Sequence, residues 1–267
     1  EAQHVKNHYT QSAKAIRRIS ARNRFALTGT PMENSLTELW SIFDFIMPGY
    51  LYTQQKFHER FIKPIIGDGD KDAGEDLNRH IRPFILRRMK KDVLKELPDK
   101  IETIITCEMT KAQRDIYTAI LVQARNEIEA VIDELGLEKS RLQILAALTR
   151  LRQICCHPAS FIENYEGGSG KLDLLMELLE ENLALGHRVL LFSQFTSILD
   201  IIEEELIRKG LSCFYLSGQT PADERASMVS RFNGGEGDVF LLSLKAGGTG
   251  LTLTGADMVI HYDPWWN

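Results

Sequence analysis

The chain has 267 residues, 43% of them hydrophobic, which is enough apolar material for two packed lobes, or one and a half. Its net charge of −5 excludes a wholly basic nucleic-acid binder, though not a local basic groove. No apolar run reaches the ~18 residues of a membrane helix, Glu1 to Asn7 lacks the apolar region of a signal peptide, and without an initiator Met the chain is expected to be a fragment or a processed chain.

Glu1 to Ile19 reads as a loop that becomes a basic amphipathic helix around Ser12, and Arg24 to Thr28 as a short strand ending at Gly29-Thr30-Pro31. Leu36, Leu39, Trp40, Phe43 and Ile46 have helical spacing, and Pro48-Gly49 stops that helix. Phe57 to Ile66 is a short helical or extended piece. Gly67 to Asp76, charged and almost without large apolar residues, predicts an exposed loop. Arg79 to Lys95 carries seven Lys or Arg against one acid. Beyond Pro98 the pattern changes. Ile101 to Thr106 reads as a strand, and Ala112 to Leu135 and Leu142 to Cys156 as long helices. Glu163 to Gly170 is a link, after which helices and strands alternate.

In that last part Lys171 to Leu185, Ile198 to Lys209 and Pro221 to Phe232 predict helices. Arg188 to Ser193, Ser212 to Leu216, Asp238 to Ser243 and Ala256 to His261 predict strands. Thr220 is placed to cap the 221–232 helix, with Pro221 at its first position and Asp223 in its first turn. Such alternation means a parallel sheet with helices on both faces, whose carboxyl edge carries the functional loops. Gly247, Gly248 and Gly250 follow one such edge and let backbone N–H groups approach a phosphate.

Cys107, Cys155, Cys156 and Cys213 form no Cys-x-x-Cys pair. Buried reduced thiols on apolar elements are favoured over a metal site at Cys155-Cys156-His157. Gly167-Gly168-Ser169-Gly170-Lys171 imitates a phosphate loop, but Tyr165 stands where Gly is needed and Leu172 where Ser or Thr is needed, and no strand precedes it.

Taken in order, the motifs resemble the Swi/Snf family of DNA-translocating ATPases, within helicase superfamily two. Glu1-Ala2-Gln3-His4 resembles the end of motif II. Leu27-Thr28-Gly29-Thr30-Pro31 resembles motif III, and Pro31 to Trp40 continues the family pattern. Arg82-Pro83-Phe84-Ile85-Leu86-Arg87-Arg88 resembles the inter-lobe linker, and Leu94-Lys95-Glu96-Leu97-Pro98 and Leu151 to Pro158 are further family signatures. Ser169-Gly170-Lys171-Leu172 resembles the opening of the second lobe. Val189 to Phe195 resembles motif IV, Tyr215 to Thr220 with Arg225 and Phe232-Asn233 the segment after it, and Asp238 to Asn267 motif V.

The resemblance implies an α/β fold of RecA-like parallel sheets flanked by helices: an incomplete first lobe plus most of a second, with a helical insertion or linker between. Residues 1–50 would be the carboxyl part of lobe 1, 51–100 the helical protrusion and basic linker, and 101–267 lobe 2. It implies an ATP-dependent double-stranded-DNA translocase that uses ATP and Mg²⁺. Glu1 would orient or deprotonate the attacking water, while Thr28 and Thr30 would couple hydrolysis to lobe closure. Gly248, Gly250, Thr252, Arg87 and Arg88 would approach the nucleotide. Thr252 stands where the family usually has Asn, so the position offers a hydroxyl and lacks the amide. Ser193, Gln194, Ser243, Lys245 and Arg225 would meet DNA phosphates, contacts that carry no sequence information. Asp257, His261 and Trp265 read as strand and turn packing.

The phosphate loop and the Mg²⁺-binding Asp of the family precede the span covered by these motifs, and its arginine fingers follow it. An arginine finger is worth ~10³ or more in rate in related enzymes, so the isolated chain is expected to be inactive as a motor. Partners implied are duplex DNA, through its backbone, and a DNA-bound protein cargo, with no membrane. The location implied is the bacterial nucleoid, or the nucleus in a eukaryote. The alternatives are a non-catalytic DNA- or protein-binding scaffold and a strand-separating helicase.

Overall fold

The computed structural model describes residues 2–29, 32, 35–93, 100–247 and 251–264, with the side chains of Lys90, Lys91, Glu134, Leu135 and Glu138 excepted. The chain divides into two compact units, Glu1–Ile101 and Glu102–Asn267.

Helices account for the regular structure described in the first unit. A 3₁₀ turn at Ala2–Val5 leads to α1 (Gln11–Arg17), whose start is capped by Thr10 accepting from the Ala13 N–H at 3.2 Å. Helix α2 (Leu36–Ile46) follows, and Gly49, at φ +80°, turns the chain beyond its end. Helix α3 (Gln54–Phe57) runs into a wider, π-helical stretch, His58–Asp68, that contains Pro64. Proline has no N–H to give to an α-helical ladder, and a wide turn accommodates it. Leu39, Trp40, Phe43, Leu51, Phe57, Phe61 and Leu77 form the core of this unit.

The structure corrects the expected loop at 67–76, because α4 spans Lys71–Ile81. Its start is fixed by Asp70, whose carboxylate accepts from the Asp72 and Ala73 N–H groups at 2.9 and 3.2 Å. This helix buries Leu77 and otherwise presents charge, so its apolar pattern is too thin to read. A short helix, α5 (Lys90–Val93), follows the linker.

Two expected strands do not form. Residues 24–28 and 101–106 belong to no ladder among the described residues. Phe25 is 84% exposed and Ile104 93% exposed. A strand is defined by its neighbour, and β-favouring composition outside a ladder leaves an extended segment.

In the second unit, α6 (Lys111–Leu135) and α7 (Leu137–Cys156) form an antiparallel hairpin that reverses at Gly136, where φ is +80°. Thr110 and Gln113 make a reciprocal capping box at the start of α6. Next come α8 (Gly170–Ala184), β1 (Val189–Ser193), α9 (Thr196–Arg208), β2 (Cys213–Leu216), α10 (Ala222–Asn233), β3 (Val239–Ser243), α11 (Leu244–Gly247) and β4 (Met258–His261). The four strands are parallel in the order β2-β3-β1-β4.

Strand residues alternate between two cores, as the pleat requires. Val189, Leu191, Val239 and Leu241 pack with α8 and α9 through Leu175, Leu179, Ile198 and Ile202. Leu190, Phe240 and Leu242 pack with Phe232 of α10 and Ala246 of α11. Thr220 does not cap α10. Its hydroxyl accepts from the Ser217 N–H at 3.0 Å, Pro221 occupies the cap, and Asp223 and Glu224 lie in the first turn.

Gly170 opens α8 where the backbone of Glu108 crosses it, and a Cβ there would overlap the Glu108 carbonyl oxygen. Gly170→Ala therefore lowers stability by about 2 kcal/mol, although alanine is the better helix former. The midpoint of chemical denaturation reads this, and a variant as stable as the parent would disprove the crossing.

Candidate functional site

The chain leaves β1 toward β2 and leaves β3 toward β4, in opposite directions across the sheet. The crevice at the carboxyl ends of these two neighbours is where open α/β sheets place ligands. Ser193 and Ser243 are register partners at that edge, and both hydroxyl residues are buried.

Asp263 lies just beyond β4 and is 3% exposed. A buried carboxylate needs donors on its lone pairs. The Ser193 hydroxyl donates a short hydrogen bond to Oδ1, and the Gln194 backbone N–H reaches Oδ2 at 3.2 Å. Burial raises the Asp263 pKa above the ordinary carboxylate range. The Ser193 hydroxyl, the Gln194 groups and the charge of Arg152 pull the other way without cancelling it.

Arg152, on α7, closes the arrangement. One terminal nitrogen donates to Gln194 Oε1 at 3.3 Å, the other to the Pro264 carbonyl at 2.7 Å, and the guanidinium stands 5.9 Å from the centre of the Phe195 ring. Nearby, Lys171 donates to the Tyr262 carbonyl at 3.3 Å and sits over the Tyr262 ring, and the Tyr262 hydroxyl donates to the Cys156 carbonyl at 2.9 Å. The Ser169 hydroxyl donates to the same Cys156 carbonyl at 2.7 Å. The phosphate-loop lookalike at 167–171 is thus a structural joint whose lysine is spent on the chain itself. Desolvation pushes the Cys156 thiol up to about 12, which leaves it a packing group.

Lys245, on α11, is exposed at the crevice edge. Gly247 is packed there, because a Cβ would stand 2.8 Å from Phe192 Cε1 and 3.2 Å from Leu242 Cβ. Its lack of a side chain answers first to the sheet, where the sequence pattern points to a phosphate. Thr252 is exposed, and its backbone is held in place by Asn233, which donates from Nδ2 to the Thr252 carbonyl at 2.8 Å and accepts from the Gly255 N–H at 2.9 Å. Arg225 donates from Nε to the Thr220 carbonyl at 2.8 Å and from a terminal nitrogen to the Ser217 and Gly218 carbonyls at 3.2 Å. It staples the loop after β2.

Thr28, Arg87 and Arg88 belong to the first unit. The Thr28 hydroxyl donates to Gln3 Oε1 at 3.1 Å, and both arginines are exposed in the segment after Phe84. Glu1, Thr30, Gly248, Gly250 and Trp265 lie outside the described residues. No group of three His, Cys, Asp or Glu among the described residues is placed to hold a metal ion. Among them, too, no helix is long and apolar enough to cross a membrane.

Residues 1–160 match the SNF2-related domain, and residues 170–267 match the helicase conserved C-terminal domain. The chain belongs to the Swi/Snf family. Over its whole length it is 39% identical to YwqA of Bacillus subtilis and 38% identical to the ISWI chromatin-remodeling complex ATPase CHR11 of Arabidopsis thaliana. It spans 29% and 26% of those two proteins. A solved structure, the Sulfolobus solfataricus SWI2/SNF2 ATPase core in complex with dsDNA, is 37% identical at a TM-score of 0.56, and the match covers all of this chain and 57% of that one.

Within this Swi/Snf chain, Arg152 and Asp263 hold the strand edge together. The sequence gives each a faint signal: an arginine set between Leu151 and Ile154 near the end of α7, and a carboxylate two residues after β4, next to the buried Tyr262. Because the folded-state pKa of Asp263 lies above that of the unfolded chain, its favourable contribution is full below the ordinary carboxylate range and is lost as pH rises through its own raised value. Asp263→Asn removes that slope. From about pH 4 upward, the melting temperature of the parent falls relative to the variant and then levels off. A constant difference would show that Asp263 is not perturbed.

Proposed function

We propose that this chain is part of an ATP-dependent motor that translocates along double-stranded DNA. What carries the reading is the crevice between β1 and β3, where the connections diverge and the residues of motifs IV and V come together, combined with the likeness to a Swi/Snf core whose solved complex contains duplex DNA. The relatives are ATP-dependent enzymes or their cores, and ATP is the nucleotide proposed here.

The residues divide by their surroundings. Lys245 is exposed and free to swing, so it is the residue we assign to a DNA phosphate. Gln194, half-buried, follows β1 at the same carboxyl edge of the sheet and is assigned to the same backbone. Ser193 and Ser243 are sealed beneath and act by shaping that edge, and Arg225 acts by fixing the neighbouring loop. Thr252, with Gly248 and Gly250, is assigned to the nucleotide, as are Arg87 and Arg88, whose forked guanidinium groups suit phosphate. Glu1, Thr28 and Thr30 are assigned to water activation and coupling. Catalysis of phosphoryl transfer rests mainly on positioning and charge stabilisation, which is the work these groups can do. Mg²⁺ enters the proposal as the ion that accompanies ATP, and no step here depends on it.

We further propose residues 1–50 as lobe 1, 51–100 as protrusion and linker, and 101–267 as lobe 2. The cargo is a DNA-bound protein, and the setting is the bacterial nucleoid.

The test is ATP hydrolysis by the protein carrying these residues, with and without duplex DNA, beside a strand-displacement assay. Duplex-stimulated turnover without strand separation is expected. Turnover indifferent to duplex would overturn the reading, and strand separation would favour a helicase. Lys245→Ala is expected to weaken duplex binding and to reduce the slope of log K against log salt by about 0.9, the share of one phosphate contact. An unchanged slope would remove Lys245 from the interface.

A further inference from the structure

We infer that Arg152 is a positioning residue for duplex engagement, acting through Gln194 without itself touching DNA. The inference rests on the reading of the β1–β3 edge as the DNA-contacting edge.

Arg152 stands on α7, a helix of the hairpin that precedes the sheet, and reaches segments 42 and 112 residues away. Its two terminal nitrogens are divided between the carboxyl ends of β1 and β4: one on Gln194 Oε1 at 3.3 Å, the other on the Pro264 carbonyl at 2.7 Å. A guanidinium has donors only, so it fixes the orientation of the Gln194 amide. Oε1 turns toward Arg152, and Nε2 is left buried without a hydrogen-bond partner among the described residues. The Gln194 backbone N–H is meanwhile tied to the same carboxylate at 3.2 Å. Gln194 is therefore gripped at both its main chain and its side chain.

The fork is suited to this and an ammonium is not. A planar guanidinium spans two acceptors in fixed geometry while its face packs near an aromatic ring, here Phe195 at 5.9 Å. Lysine would keep the charge and lose one of the two tethers. Since the amide of Gln194 and the loop of residues 194–195 form the rim of the crevice, their order before DNA arrives sets how much freedom must be lost on binding.

The experiment measures duplex affinity across a salt series for the parent chain, Arg152→Ala, Arg152→Lys, Gln194→Ala and the double variant Arg152→Ala/Gln194→Ala, using a duplex of mixed sequence. Arg152→Ala should weaken binding about five- to tenfold with the salt slope unchanged, and the double variant should lose little more than either single one, as coupled neighbours do. Arg152→Lys should show part of the same loss, again with no change in slope. Loss of about one unit of slope in Arg152→Ala would make it a direct phosphate contact and overturn the inference. Full affinity in Arg152→Lys would overturn it as well, because charge alone would then suffice. Should Arg152→Ala fail to fold, Arg152→Lys decides between the same outcomes. A parent chain with no affinity for duplex would refute the functional reading itself and this inference with it.

Discussion

A carboxylate taken out of water must be met by donors, and Asp263 is met by groups that arrive from distant parts of the chain. Ser193 and Gln194 come from the end of β1, Arg152 acts on it from α7, and Asp263 itself follows β4. None of these segments can move far without leaving a buried charge short of a partner, which is among the more expensive faults a folded protein can carry. The geometry of the crevice follows from that requirement. The ends of β1 and β4 are held level, the β3 end is held to β1 by strand pairing, and the loops that leave them depart from fixed points.

The rest of the second unit supports this edge from below. Two apolar layers, one on each sheet face, bury the central strands β1 and β3 almost completely, so the backbone beneath the site is firmly held. At the opposite edge, Arg188 donates to the Glu236, Gly237 and Gly255 carbonyls at 2.6 to 3.1 Å and packs 3.9 Å over the Phe232 ring. That staple ties the loops before β3 and β4 together. Thr252 thereby hangs between two fixed points, Asn233 on one side and the sheet on the other.

Much of this was legible in the residues, and the failures have common causes. The four strands of the sheet and the helices between them declared themselves because buried strands and amphipathic helices have distinct periods. Segments 24–28 and 101–106 have strand composition, yet pairing is a property of two segments, and one sequence stretch cannot report the absence of its neighbour. Helix α4 was hidden because a helix that buries one leucine leaves no stripe. Its capping aspartate, Asp70, was the available sign. At the site, the motifs brought Ser193, Gln194, Ser243 and Lys245 to one edge. They did not reveal that both serines would be sealed beneath it, because burial of a short polar side chain depends on what covers it. Arg152 and Asp263 escaped notice for a related reason: they lie 111 residues apart in sequence, and their meaning exists only in three dimensions.

The hairpin of α6 and α7 has two allegiances. The SNF2-related domain match runs to residue 160, so by sequence kinship the hairpin belongs with what precedes it, whereas by compactness it belongs with the sheet from Glu102 onward. Arg152, the Cys156 carbonyl and the capping box at Thr110 show why: they are fastened to Gln194, Pro264, Tyr262 and Gly167. Inheritance and mechanics therefore draw the seam in different places. Cutting at the ancestral seam would strip the sheet of its arginine tether and leave the Tyr262 hydroxyl without an acceptor. A substitution on either side of that seam is therefore felt on the other.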